Sequence, residues 1–183
     1  MSDWRMTTQN TALVVIDLQE KLMAAMARRA DVVTAANKLI RAARILELPT
    51  LVTVQYVKGL GPVCTELTEA TAGLTPFEKM TFSCCGTDAF SNAVKNSGRK
   101  RIVICGVEAH VCVQQTALDL LATGCEVYIA GDAVCSRRDS DCAVALERMR
   151  DSGAVLTTTE SAVYEWLREA GTPQFKQVLP LFR

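Results

Sequence analysis

Three side chains able to do chemistry close or follow apolar runs in this chain: Asp17, Lys79 and Cys112. Cys112 ends residues 101–112 (RIVICGVEAHVC), an apolar run passing through Gly106 into a helix start. A thiol at a helix N-terminus faces exposed backbone N–H groups and the positive end of the helix dipole, which favour thiolate over thiol. That is a place for a nucleophile. The competing reading is a small apolar core residue, because free cysteine is commonly buried. Asp17 follows the apolar run of residues 13–16 (LVVI), so its carboxyl needs a partner there or must take up a proton. Capping the next helix is its alternative role. Lys79 lies in a third β-type run, and its alternative is a solvated surface charge.

The proton transfers narrow the chemistry. The chain has one histidine, His110, two residues before Cys112. In a helix, positions i and i+2 point to different sides; in a strand they share a face but align poorly for proton transfer. Cysteine chemistry in this chain therefore falls to Asp or Glu for the proton and to Lys or Arg for charge.

These residues must be positioned by the elements around them. Strands are expected at residues 13–17, 50–56, 77–82, 101–105, 126–130 and 154–157, and helices at 30–47, 88–96, 111–122, 140–151, 160–169 and 174–181. In the first long helix Val33, Ala36, Leu39, Ile40 and Ala43 share a face. Strands separated by helical segments indicate βαβ units, hence an α/β fold with a parallel sheet covered on both sides. In such folds, sites form outside the carboxyl ends of the strands where strand order reverses, so Asp17, Lys79 and Cys112 have a place to meet.

Composition sets the frame. The 183 residues, 49% hydrophobic, suit one domain spanning 1–183. Twenty basic and twenty acidic side chains cancel, which leaves no nucleic-acid footprint. No apolar run approaches a membrane span, and the N-terminus lacks signal-peptide character, so a cytoplasmic protein is expected. Of the eight cysteines, Cys64, Cys84, Cys85, Cys105, Cys125 and Cys142 read as core or loop thiols and Cys135 is ambiguous. No Cys-x-x-Cys pair occurs, and a single histidine gives no adequate zinc donor set; no metal is expected.

Residues 14–19 (VVIDLQ), 78–83 (EKMTFS) and 106–113 (GVEAHVCV) resemble the Asp, Lys and Cys motifs of the isochorismatase-like cysteine hydrolases. Residues 55–62 (QYVKGLGP), 132–137 (DAVCSR), 145–154 (ALERMRDSGA) and 172–176 (TPQFK) are similar to the isochorismatase domain-containing subgroup. The resemblance implies a three-layer α/β sandwich with a six-stranded parallel sheet of Rossmann-type topology. It also implies a catalytic triad: Cys112 as nucleophile, its pKa lowered by Lys79 and the helix start, with Asp17 as the base.

The implied reaction is hydrolysis of a small amide through a thioester, with no cofactor. A cis peptide between Val107 and Glu108 and an oxyanion hole formed by the backbone N–H groups of Glu108 and Cys112 belong to the same pattern. His110 would support that loop. Residues 55–59 lack the histidines of metal-dependent nicotinamidases, and Cys112 stands where isochorismatase proper has no cysteine; both features turn the expectation from those substrates to acyl transfer. Gln19, Tyr56, Phe82 and Cys135 are candidate pocket walls, with core packing as the alternative for each. A homo-oligomer acting on a small molecule is expected, and the other reading is a catalytically silent or redox-sensing interaction subunit.

Overall fold

The computed structural model describes residues 5–183. Its centre is a six-stranded, all-parallel sheet of β1 (Thr11–Ile16), β2 (Thr50–Gln55), β3 (Phe77–Lys79), β4 (Arg101–Val107), β5 (Glu126–Cys135) and β6 (Val155–Thr157). The spatial order is β3-β2-β1-β4-β5-β6. Helices α1 (Glu20–Met23), α2 (Arg29–Ile45), α3 (Val57–Leu60), α4 (Asp88–Asn96), α5 (Gln114–Ala122), α6 (Asp139–Asp151), α7 (Thr159–Leu167) and α8 (Pro173–Val178) complete the α/β sandwich. No helix among the described residues is long and apolar enough to cross a membrane.

Every residue of β1 and β4 is buried. Helices cover both faces of the sheet, which is why these strands read as continuous apolar runs. Along β1 the pleat sends Leu13 and Val15 into a cluster with Leu39, Ile40 and Ala43 of α2 and Trp166 of α7. Ala12, Val14 and Ile16 enter a second cluster with Phe90 of α4, Leu120 of α5 and Met149 of α6. A fully buried aliphatic side chain contributes roughly 1.5–3 kcal/mol, so packing more than helix propensity holds the helices on the sheet. In α2, the face read from spacing at Val33, Ala36, Leu39, Ile40 and Ala43 is the buried one.

Several boundaries differ from those read in the sequence, and the reasons bear on the site. β3 stops at Lys79 instead of reaching 82, because the carbonyls of Met80, Thr81 and Phe82 accept from the side chains of Gln55 and Lys79. β4 continues to Val107, and β5 to Cys135, past Gly131. A π-helical turn, Ala109–Val113, precedes α5 where a regular helix from 111 is expected. The Val113 N–H donates to the Glu108 carbonyl, five residues back, at 3.2 Å, a widened turn often found at functional sites.

Between β3 and β4 the chain crosses from one side of β1 to the other, so strand order reverses between β1 and β4. Ile16 pairs with Gly106 at that point. A Cβ on Gly106 would lie 2.0 Å from the Ile16 carbonyl oxygen, and Gly106 has φ +126°. Only glycine fits this approach. Gly106→Ala should lower the unfolding free energy by about 3 kcal/mol or more in urea denaturation, since neither backbone can yield without opening the β1–β4 ladder. A variant as stable as the wild type would contradict this account of the strand ends.

Candidate active site

The sheet register brings the three reactive residues to one end of the sheet. Ile16 pairs with Thr53 on one side and Gly106 on the other, so Asp17 emerges between the ends of β2 and β4. Its backbone has φ +51°, a left-handed conformation that Asp tolerates better than most residues. The Asp17 N–H still donates to the Thr53 carbonyl at 3.2 Å. One strand further out, Lys79 pairs with Gln55.

Asp17 and Lys79 form a buried ion pair, Nζ to Oδ2 at 2.6 Å, with side chains 0% and 1% exposed. The other carboxylate oxygen, Oδ1, accepts from the Thr53 hydroxyl at 2.8 Å. The Lys79 ammonium also donates to Gln55 Oε1 at 2.6 Å and to the carbonyls of Phe82 at 3.1 Å and Thr81 at 3.3 Å. An ammonium has three N–H donors, so all of them are engaged. Gln55 is itself held: its Nε2 donates to the Met80 carbonyl, while Gln19 accepts from its backbone N–H at 2.7 Å and donates to its carbonyl at 2.9 Å.

Cys112 lies beside this pair in the π-helical turn and is 6% exposed. Burial pushes its thiol up to about 12, the Asp17 carboxylate adds to the shift by its charge and as a hydrogen-bond acceptor, and Lys79 opposes it. This corrects the expectation of a lowered thiol pKa. At neutral pH the sulfur rests as a thiol against a carboxylate. Burial lowers the Lys79 pKa, but the charge of Asp17, joined by those of the Cys112 and Cys84 sulfurs once they ionise, outweighs it and leaves it raised.

The Val107–Glu108 peptide bond is cis. The Glu108 carboxylate accepts from the Arg137 backbone N–H and Nε, both at 3.0 Å, and His110 Nδ1 lies 2.8 Å from the Ser136 hydroxyl. These contacts tether the Cys112 loop to the end of β5. Among the candidate pocket walls, Tyr56 is 43% and Phe82 54% exposed beside Lys79, joined by Met80 at 68%. Gln19 is fully buried with its amide spent on Gln55 and Gly61. Cys135 is buried in the cluster that contains α2, whereas Cys112 belongs to the cluster on the other face.

Reading the sequence missed Thr53, Gln55 and Met80. The first two carried a signal: polar residues alternating in a strand otherwise apolar enough to be buried on both faces. Away from this site, Glu20, Cys64 and Glu66 bring possible metal-ligating atoms within 4.8 Å of one another. Arg29 already pairs there with both glutamates.

Residues 11–161 match the isochorismatase domain. The chain belongs to the isochorismatase domain family. It is 39% identical over 178 residues to isochorismatase domain-containing protein 2 of Danio rerio, covering 97% of this chain and 89% of that one. A Caenorhabditis elegans structure described as MAR1 ribonuclease is 40% identical, with a TM-score of 0.92 over 97% of this chain and 92% of that one. YcaC from Pseudomonas aeruginosa, solved with hexane-2,5-diol and covalent acrylamide, is 25% identical, with a TM-score of 0.88 over 99% and 93% of the two chains.

Two outcomes test the electrostatics of the site. Lys79→Met strands a buried carboxylate and should cost about 3–5 kcal/mol in chemical denaturation, most of it recovered by adding Asp17→Asn. A double variant no more stable than Lys79→Met would contradict the ion-pair account. The second outcome concerns alkaline pH. Burial is the first cause that pushes Cys64, Cys84 and Cys135 up to about 11 and Cys85, Cys105 and Cys112 up to about 12, from an ordinary value of 9.0. Above that ordinary value the unfolded chain releases thiol protons that the folded chain keeps. Stability is therefore full below it and falls as pH rises towards the folded values. Thermal melts from about pH 8 to about pH 11 should show a falling Tm, and a flat profile would contradict the assigned burial of these thiols.

Proposed function

We propose that this protein is a cysteine hydrolase that cleaves a small amide-type C–N bond through a thioester on Cys112. The observation that carries this reading is the buried Asp17–Lys79 pair, 2.6 Å across, set against the Cys112 thiol. Asp17 takes the thiol proton as sulfur attacks the substrate carbonyl, so the thiolate exists only as the S–C bond forms. The developing oxyanion is held by the backbone N–H groups of Glu108 and Cys112, donors whose individual loss costs about 10²–10³ in rate in comparable sites. Asp17 then protonates the leaving nitrogen, the C–N bond breaks, and the acyl group remains on sulfur. Water activated by Asp17 cleaves the thioester and restores the thiol.

Lys79 supplies charge but no proton, since its N–H donors are engaged. The reading calls on no metal and no cofactor: the proton goes through Asp17 and charge is supplied by Lys79 and backbone amides. The Pseudomonas aeruginosa relative is described with covalent acrylamide, a small electrophilic amide, which supports testing small amides on this chain. The exposed Tyr56, Met80 and Phe82 beside Lys79 favour a substrate with an apolar flank. Exposed Val144, Val155 and Leu156 near the β6 edge support a homo-oligomer. Eight free cysteines support a reducing, cytoplasmic setting.

Intact-mass spectrometry after exposure to a panel of small amides and esters tests the reading. The wild type should carry an acyl adduct on Cys112, and Asp17→Asn should lose turnover by about 10²–10⁴ while retaining its fold. No adduct, with Cys112 merely oxidised, would leave the redox-sensing subunit instead. RNA is a second arm because of the ribonuclease description of the Caenorhabditis elegans relative. Cleavage of RNA that disappears in Cys112→Ala would overturn the amide assignment.

A further inference from the structure

Thr53 is fully buried in β2, and its hydroxyl donates to Asp17 Oδ1 at 2.8 Å, while Lys79 holds the other carboxylate oxygen. The Cys84 sulfur lies 3.7 Å from the same hydroxyl oxygen. A hydroxyl has one hydrogen and two lone pairs. When the Cys84 S–H occupies a lone pair, the Thr53 hydrogen is left to point at Asp17. Cys84 is a protonated thiol at neutral pH, as an ordinary cysteine is, and burial pushes it further up to about 11.

Cys84 is fixed in turn. Its backbone N–H donates to the Thr116 hydroxyl at 2.9 Å, and Thr116 lies one helical turn after Cys112 in α5. The loop after β3, the strand holding Thr53 and the helix following the nucleophile are thereby tied together around Asp17. One carboxylate oxygen is pinned by Lys79 and the other by Thr53, which sets the plane in which Asp17 meets the Cys112 thiol. The titratable groups facing Asp17 are Lys79 from β3, Cys112 from the π-helical turn and Cys84 from the loop after β3.

We infer that Thr53, oriented as a donor by Cys84, is a positioning residue that holds Asp17 for proton transfer, an inference that rests on the acyl-transfer reading above. A hydrogen bond to the ionised form of an acid favours that form. Its loss should therefore show in the pH dependence of acylation, which a merely structural role would not move.

The experiment follows acylation of Cys112 by p-nitrophenyl acetate, read as nitrophenol release and adduct mass, across pH in wild type, Thr53→Val, Thr53→Ser and Cys84→Ala. Thr53→Val should acylate about tenfold more slowly at neutral pH. The acidic limb of its pH–rate profile should move up by about one pH unit. Thr53→Ser should restore both rate and limb, and Cys84→Ala should show a smaller shift in the same direction. Thermal melts confirm folding; if Thr53→Val does not fold, Cys84→Ala carries the comparison. A folded Thr53→Val with the wild-type limb, or an unfolded one with Cys84→Ala at the wild-type limb, overturns the inference alone. A wild type that never acylates overturns the acyl-transfer reading and this inference with it.

Discussion

An ion pair removed from water must recover the hydration it has lost, and the Asp17–Lys79 pair imposes that requirement on the end of the sheet. Attraction across 2.6 Å repays desolvation only where the remaining lone pairs and protons are also satisfied. Thr53, Gln55 and the carbonyls of Thr81 and Phe82 satisfy them. The requirement propagates outward: Gln55 is held by Gln19, and β3 gives up its last turns of ladder so that its carbonyls can face the ammonium. Local structure around the pair follows from satisfying these polar atoms more than from strand propensity.

Topology puts the pair within reach of the thiol. The reversal of strand order between β1 and β4 opens a crevice at their carboxyl ends. Gly106 lets the β4 backbone come so close to Ile16 that a side chain would not fit. The two neighbouring strand ends then deliver Asp17 and the Cys112 turn side by side. The Glu108–Arg137 and His110–Ser136 contacts hold that turn from the β5 side. Cys112 is thus fixed by its neighbours in the sheet more than by its own helix.

Much of the fold was legible because strands buried on both faces leave a continuous apolar signature, as in Leu13 to Ile16, and α2 repeats its buried face at helical spacing. Where side-chain hydrogen bonding overrides local propensity, legibility ended. The early stop of β3 depends on Lys79 and Gln55 capturing carbonyls, and the π-helical turn at Ala109–Val113 depends on a bond from Val113 back to Glu108. Asp17, Lys79 and Cys112 could be singled out as reactive types near strand ends and by resemblance. Thr53 and Gln55 were passed over because Thr and Gln carry no charge to flag them. The direction of the Cys112 pKa shift was misread for a similar reason. A helix start seen in sequence argues for a thiolate, but it shows neither the burial of the sulfur nor the carboxylate beside it.

That shift decides how a cysteine in this setting can act. A thiolate standing free at rest would be open to oxidants and would need only a substrate in position. A thiol held near 12 by burial and by Asp17 offers very little thiolate at neutral pH. In the proposed reaction it therefore depends on a base within reach at the moment of attack, and the residue that suppresses the thiolate is the one placed to remove its proton. As the proton moves to Asp17, that side chain loses its charge, the thiolate is relieved of repulsion, and Lys79, still cationic, is left to stabilise the sulfur. In that proposed reaction, ionisation of the Cys112 thiol is tied to proton transfer within the site, a dependence that a sensor thiol does not need.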